Sequence, residues 1–373
     1  MAITSQNSIN ARSPYYVKVT TGYSAQLELY ITAGAQTFDS GTLRYTIEKI
    51  DQSSLGYVVF EISSLIRDYF ELLWTGDGSD ALWVRTAIKT KSTSGGSYGS
   101  ASNTDYVAYD GYGYHEDGVN PRSTANKILM QDNSDIYFMD DEPIRIPVFT
   151  DVSNLSFEYS GGDINTTSTW GSDRNYWDTP SGSVMSNDLS VSDTNNSFTK
   201  LKYIYINNSD IEDGETVTAS VTGGSDEVYT FRKTRCTIHD KKKLIFVNKY
   251  GALQELYVQF KSSTSVTKSS DDFKRANFDT GSLSYSTYEH QKKVFNIIGN
   301  ERISVNTDFI RESMNEPIKQ LMFSEQVWLD EEGTISPVNV INSETRIKTI
   351  VNDKLIQYTF ELEYAYNKIN DIK

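Results

Sequence analysis

Histidine is the usual proton-transfer base near neutral pH, and this chain of 373 residues has only three. His115 lies in a stretch rich in glycine and tyrosine, His239 in Ile238-His239-Asp240-Lys241, and His290 in Tyr288-Glu289-His290-Gln291. None sits in an H-E-x-x-H or G-x-S-x-G setting, so surface turns explain them better than catalysis. The single cysteine, Cys236, follows Arg235, which could activate an exposed thiol, but a small, inert strand residue is the commoner state. Acidic doublets recur at Asp140-Asp141-Glu142, Glu212-Asp213, Asp271-Asp272 and Glu331-Glu332. A glycosidase needs two carboxyls about 5–10 Å apart across a bond, which adjacent positions do not supply. The run Ser209-Asp210-Ile211-Glu212-Asp213-Gly214-Glu215 lacks the frame of a calcium loop, and Gly111-Tyr112-Gly113 lacks that of a dinucleotide loop. The sequence therefore predicts no catalytic residue, no cofactor-binding residue, no metal ligand and no cofactor; it predicts a protein that is not an enzyme.

The aromatic residues in polar surroundings are a second kind of candidate. Tyr106, Tyr109, Tyr112 and Tyr114 are interleaved with glycines, and Trp170, Tyr176 and Trp177 stand in a polar stretch at 161–198. Such rings can stack on sugars. They also supply large contact area between subunits, and that is the preferred expectation here. These seven residues are the predicted interface.

The elements that must carry them are β-strands. There are 25 Tyr, 16 Phe and 5 Trp against 7 Pro, and the spacers are rich in Ser, Thr, Asn, Asp and Gly. That pairing suits pleated, half-buried strands joined by turns. Leu27, Leu29 and Ile31 alternate with Glu28 and Tyr30, and Ile356, Tyr358, Phe360, Leu362 and Tyr364 alternate with polar residues. Residues 63–74 have an amphipathic helical pattern behind a serine cap, and residues 308–322 have another, with Pro317 expected to kink it. The predicted fold class is mainly β: several β-sandwich-like modules with a few short helices. The expected domains are 1–91, with one helix; a flexible linker at 92–104; 105–240, carrying the long polar loop 161–198; and 241–373, with the helix 308–322.

Composition sets further bounds. No window approaches the ~20 apolar residues of a membrane helix, so no membrane span is expected. Lys and Arg total 35 against 50 Asp and Glu, a net charge of −15. That balance argues against nucleic acid as a partner, since such binding needs clustered cations. Residues 1–14 lack an apolar signal region, and one cysteine allows no internal disulfide.

Several stretches, taken together, resemble virion proteins of tailed phages of the marine and Bacteroidetes type. They are Asn10-Ala11-Arg12-Ser13-Pro14-Tyr15-Tyr16-Val17, Tyr57-Val58-Val59-Phe60-Glu61-Ile62-Ser63-Ser64-Leu65-Ile66, Ala108-Tyr109-Asp110-Gly111-Tyr112-Gly113-Tyr114 and Phe246-Val247-Asn248-Lys249-Tyr250-Gly251-Ala252. The segments 306–321, Ser324-Glu325-Gln326-Val327-Trp328-Leu329 and Tyr358-Thr359-Phe360-Glu361-Leu362-Glu363-Tyr364 resemble a module of phage tail and baseplate proteins. The resemblance implies a non-enzymatic structural subunit of the virion, in the tail or baseplate, assembled in the host cytoplasm as a ring-like oligomer. Its implied partners are other copies of the chain and other tail or baseplate proteins. A receptor- or glycan-binding tail protein facing a host glycan is one alternative, and a head–tail connector or collar component is another.

Overall fold

The computed structural model describes residues 8–33, 42–52, 55–70, 82–118, 127–139, 144–149, 155–159, 188–191, 202–206, 211–220, 227–234, 240–258, 261–342, 344–347 and 356–368. They build a mainly β protein of several sheets with a few short helices. The chain divides into two compact units. The first joins residues 1–234 to the two excursions 247–254 and 313–324, and the second holds the rest.

In the first unit, a five-stranded sheet runs in the order Ser8–Asn10, Ser102–Tyr109, Leu82–Lys91, Ser24–Ala33, Thr42–Ile50. A two-stranded ribbon, Tyr16–Thr20 with Tyr57–Glu61, contributes to the same core. The period-2 pattern explains that core: Leu27, Leu29 and Ile31 from the sheet meet Val17, Val19, Val58 and Phe60 from the ribbon. The helix Ser63–Arg67 adds Ile66, with Ile62 beside it. Burying each such side chain is worth about 1.5–3 kcal/mol.

The strand Ser102–Tyr109 is apolar at every position of its last half because it is covered on both faces. Tyr106 and Ala108 enter the core just described. Val107 and Tyr109 enter a second cluster with Trp83, Leu129 and Ala252. This strand also corrects the expected linker at 92–104. Ser102, Asn103 and Thr104 pair with Ile88, Ala87 and Thr86, so the Ser/Gly-rich stretch is the connection of a β-hairpin and joins no two domains. The same small polar residues serve both purposes, and composition alone does not separate them.

Residues 127–233 supply two more sheets. One runs Asp188–Val191, Leu155–Tyr159, Thr216–Ser220, Glu227–Lys233, Asp135–Phe138, and the other Lys202–Ile206, Ile144–Phe149, Lys127–Ile128. Asp135 is buried and accepts from Arg232 Nε at 3.2 Å and from Ser313 Oγ at 2.6 Å, tying the excursion at 313 to this sheet.

The second unit centres on a seven-stranded sheet in the order Leu253–Tyr257, Lys242–Val247, Val327–Glu331, Thr334–Val340, Thr359–Tyr364, Lys292–Asn306, Ser263–Lys274. Lys243 is buried in it and bonds Glu255 at 3.0 Å, with Asp330 at 3.5 Å. Two acids around one lysine compensate a charge that would otherwise be costly to bury.

Both helices are shorter than their patterns suggest. The first described helix ends at Arg67, and residues 71–74 lie outside the described residues. The predicted helix 308–322 begins later, at Asn315, and ends at Phe323 after a turn of 3-10 helix at Glu312–Met314. Ile310 is instead bridged to Ile356. Pro317 falls in the first helical turn, where its missing N–H has no intrahelical partner to lose, so it does not interrupt the helix.

The first helix is capped by Glu61 and not by the expected serine. Glu61 Oε1 accepts from Ser63 N at 2.8 Å and from Ser63 Oγ, and Oε2 accepts from Ser64 Oγ at 2.6 Å. Burial on its own raises the carboxyl's pKa, but these donors outweigh it and hold the folded value below the ordinary glutamate range. The stability this lends is fully present above the unfolded pKa and is lost as pH falls through the folded one. Glu61→Gln should therefore flatten the acid side of the stability curve below about pH 5, measured by urea unfolding across pH. Identical acid limbs for the two proteins would contradict this.

Candidate functional site

The first unit contains one place where four distant parts of the sequence meet. The N-terminal strand pairs in parallel with residues 107–109. The following residues keep that track: Ala11 N donates to Tyr109 O at 2.8 Å and Arg12 N to Gly111 O at 3.0 Å. The Arg12 guanidinium then grips the Asp110 carboxylate with two bonds, Nε to Oδ1 at 2.7 Å and Nη2 to Oδ2 at 2.8 Å. Both side chains are nearly buried, and the fork-to-carboxylate geometry fixes direction as well as distance. Ser13 Oγ accepts from Gly113 N at 2.8 Å.

On the other side lies the turn Asn248-Lys249-Tyr250-Gly251. Asn248 is fully buried and organises it. Its Oδ1 accepts from Tyr250 N at 3.0 Å and Ala252 N at 3.1 Å, and its Nδ2 donates to Leu129 O at 2.7 Å and Gln254 Oε1 at 3.2 Å. All four hydrogen-bonding positions of the amide are filled. Gly251 takes φ +78°, which an L side chain rarely adopts.

The two tracks touch backbone to backbone. A Cβ on Gly111 would stand 2.6 Å from Lys249 O, and one on Gly251 would stand 2.9 Å from the carbonyl carbon of Asp110. Tyr112 N donates to Lys249 O at 2.8 Å across the crossing. The helix Asn315–Phe323 closes the fourth side. Its buried Gln320 accepts from Lys249 N at 3.2 Å, and its Glu316 accepts from the Tyr114 hydroxyl at 2.6 Å. The Lys319 ammonium lies 3.9 Å from the Tyr114 ring centroid and that of Lys249 lies 5.0 Å away, so cations sit over the phenol ring that donates to Glu316. Burial, and then the bond to Glu316, push the Tyr114 hydroxyl above the ordinary tyrosine range. Burial pushes the Tyr112 hydroxyl up to about 12.

The predicted interface tyrosines thus fall into two groups. Tyr106 and Tyr109 are buried in this chain's own cores, 7% and 2% exposed, and offer a partner no ring surface in this structure. Tyr112 and Tyr114 are half-buried in the crossing, their rings 5.8 Å apart. Trp170, Tyr176 and Trp177 lie outside the described residues, as do Cys236 and His239. His115 opens an exposed 3-10 turn, and His290 is exposed. The carboxylates at 212–215 hold their own loop and its neighbour: Glu215 accepts from Glu212 N, and Asp213 from Lys233 N. Among the described residues no group of three or more His, Cys, Asp or Glu is placed to hold a metal ion. The crossing is held by the bidentate Arg12–Asp110 pair, the Asn248 amide and backbone hydrogen bonds, which together fix the chain directions.

Sequence reasoning picked out both glycine-bearing motifs but missed that they meet. It also missed the Arg12–Asp110 pair and the role of Asn248. A signal was available, since Gly111 and Gly251 each lie in an aromatic, turn-like stretch where a missing side chain can mean a close approach.

No protein family matches the chain, and no curated protein does. Among solved structures it is similar to the crystal structure of CBD12 from CALX1.2, at 8% identity, over 57% of this chain and 75% of that one. The TM-score is 0.17, a likeness too slight to bear on fold or function.

Gly111→Ala and Gly251→Ala should each destabilise the first unit by about 2–3 kcal/mol, because backbone must move to admit the methyl. Gly95→Ala, at a position with nothing within 4 Å, should change stability by less than about 1 kcal/mol. Urea unfolding followed by near-ultraviolet circular dichroism checks this; equal midpoints for all three variants would contradict the crossing.

Proposed function

We propose that the chain is a non-enzymatic structural subunit of a tailed-phage virion, placed in the tail or baseplate and working through ring-like assembly with other copies and other tail proteins. The observation that carries this reading is where the phage-like segments meet. Asn10-Ala11-Arg12-Ser13, Asp110-Gly111-Tyr112-Gly113-Tyr114, Asn248-Lys249-Tyr250-Gly251 and part of 306–321 are far apart in sequence, yet they form a single crossing in the first unit. Residues used for chemistry would converge on an open space. These converge on one another, through backbone contact, a bidentate ion pair and a saturated amide. That is what a rigid spacer in a large assembly needs, since stiffness transmits position from one contact to the next.

Charge is consistent with the same role. A net charge of −15 keeps copies apart in solution until a specific contact forms. Assembly in the reducing host cytoplasm fits a chain with one cysteine, which must hold its fold by packing and hydrogen bonds.

Mass spectrometry of density-purified particles of the phage that encodes the chain should find it in fixed proportion to the tail proteins, retained after a high-salt wash. Its absence from washed particles would overturn the proposal.

A further inference from the structure

The outermost strands of the seven-stranded sheet run far beyond their neighbours. Arg302–Asn306 pair with Thr359–Tyr364 on one side and with the start of Ser263–Lys274 on the other. Past Gly299, whose carbonyl accepts from Lys368 N at 2.7 Å, the two strands pair, among the described residues, only with each other. Residues 268–298 form an arm: a two-stranded ribbon extending roughly 20 Å, then a small tip where Phe278–Asp279 pairs with Ser284–Tyr285.

The arm is built in detail. Its strands shift register between Ser269 and Asp271, where Asn296 takes φ +51° and donates from Nδ2 to Asp271 Oδ2 at 2.9 Å. Such a bulge bends and twists a ribbon in a defined direction. Arg275 and Glu289 close its far end at 2.9 Å, and Asp279 holds the tip turn through Gly281 N at 3.0 Å and Ser282 Oγ at 2.7 Å.

Its surface does not suit water. Nine of the nineteen large apolar or aromatic side chains exposed among the described residues lie on these 31 residues. Phe273 and Phe295 stack edge to face at 5.8 Å, and each is still about half exposed, 48% and 49%. Leu283 and Tyr288 at the tip are 77% and 87% exposed. A two-stranded ribbon bare on both faces is marginal alone. Exposed apolar surface of this extent marks an interaction surface.

The charge says what it meets. Residues 268–298 hold five Lys and Arg against four Asp and Glu, a net +1, in a chain of −15; the remainder therefore carries −16. Two bodies of this chain repel each other, whereas an apolar arm of slight positive charge is attracted to an acidic body. We propose that the arm docks on a neighbouring copy of this chain. The contact is heterologous, arm to body, and so generates a ring or an open stack. This deepens the structural reading above by naming the partner and the surface.

The test is sedimentation of the full-length chain over a concentration series. The wild type should self-associate. Phe273→Ser with Phe295→Ser should weaken association at least tenfold, roughly the effect of losing a buried aromatic anchor. Lys268→Glu with Lys293→Glu should do the same while leaving both rings in place. All four side chains are exposed, so circular dichroism and melting should match the wild type and keep folding separate from docking. A wild type that stays monomeric, or variants that associate as well as it does, would overturn the arm. Failure here leaves particle composition untouched, and absence from particles leaves self-association untouched, so the two proposals fail separately.

Discussion

The carbonyl oxygen of Lys249 lies 2.6 Å from where a Cβ of residue 111 would be, and the crossing is organised around that fact. A contact at 2.6 Å admits no side chain, so glycine at 111 is obligatory for this geometry. Once the backbones touch, the remaining constraints follow. Tyr112 N can reach Lys249 O, Arg12 can hold Asp110 in line, and Asn248 can close the turn on its own amide. Removing one partner from a nearly buried ion pair such as Arg12–Asp110 costs about 3–5 kcal/mol, because the survivor keeps its charge without its compensation. The crossing also explains why the excursions at 247–254 and 313–324 belong to the first unit although their flanking strands belong to the second.

Much of the fold was legible from residue type. The alternation at Leu27, Leu29 and Ile31 put one face in a core, as the structure has it. Where the reading failed, the physics is identifiable. Residues 92–104 have linker composition, but a hairpin connection needs the same residues, and only pairing with residues 86–88 distinguishes the two. Ser263–Lys274 has no amphipathic alternation because neither of its faces is buried, so the rule that finds strands had nothing to detect. The four tyrosines at 106–114 read as surface contacts from sequence; Tyr106 and Tyr109 are core, because a tyrosine ring is as much apolar volume as it is contact surface.

The two parts carry complementary roles. The crossing ties four distant segments together through backbone contact, an ion pair and the Asn248 amide. The arm is the opposite: a shaped ribbon with bulge, closed end and ordered tip, yet with aromatic rings left about half exposed. On the proposed reading, a subunit that works by position needs both a body that does not deform and a surface that recognises its neighbour. On the proposed reading, the charge imbalance, a net +1 on the arm against −16 on the rest of the chain, favours docking of the arm on another acidic body.

The most direct test is an electron cryomicroscopy reconstruction of intact particles at side-chain resolution. The account predicts density for this chain in a ring, with Phe273 and Phe295 of each copy buried against the next. Density showing the chain as an isolated copy with residues 268–298 free in solvent, or no density for it anywhere in the particle, would contradict it.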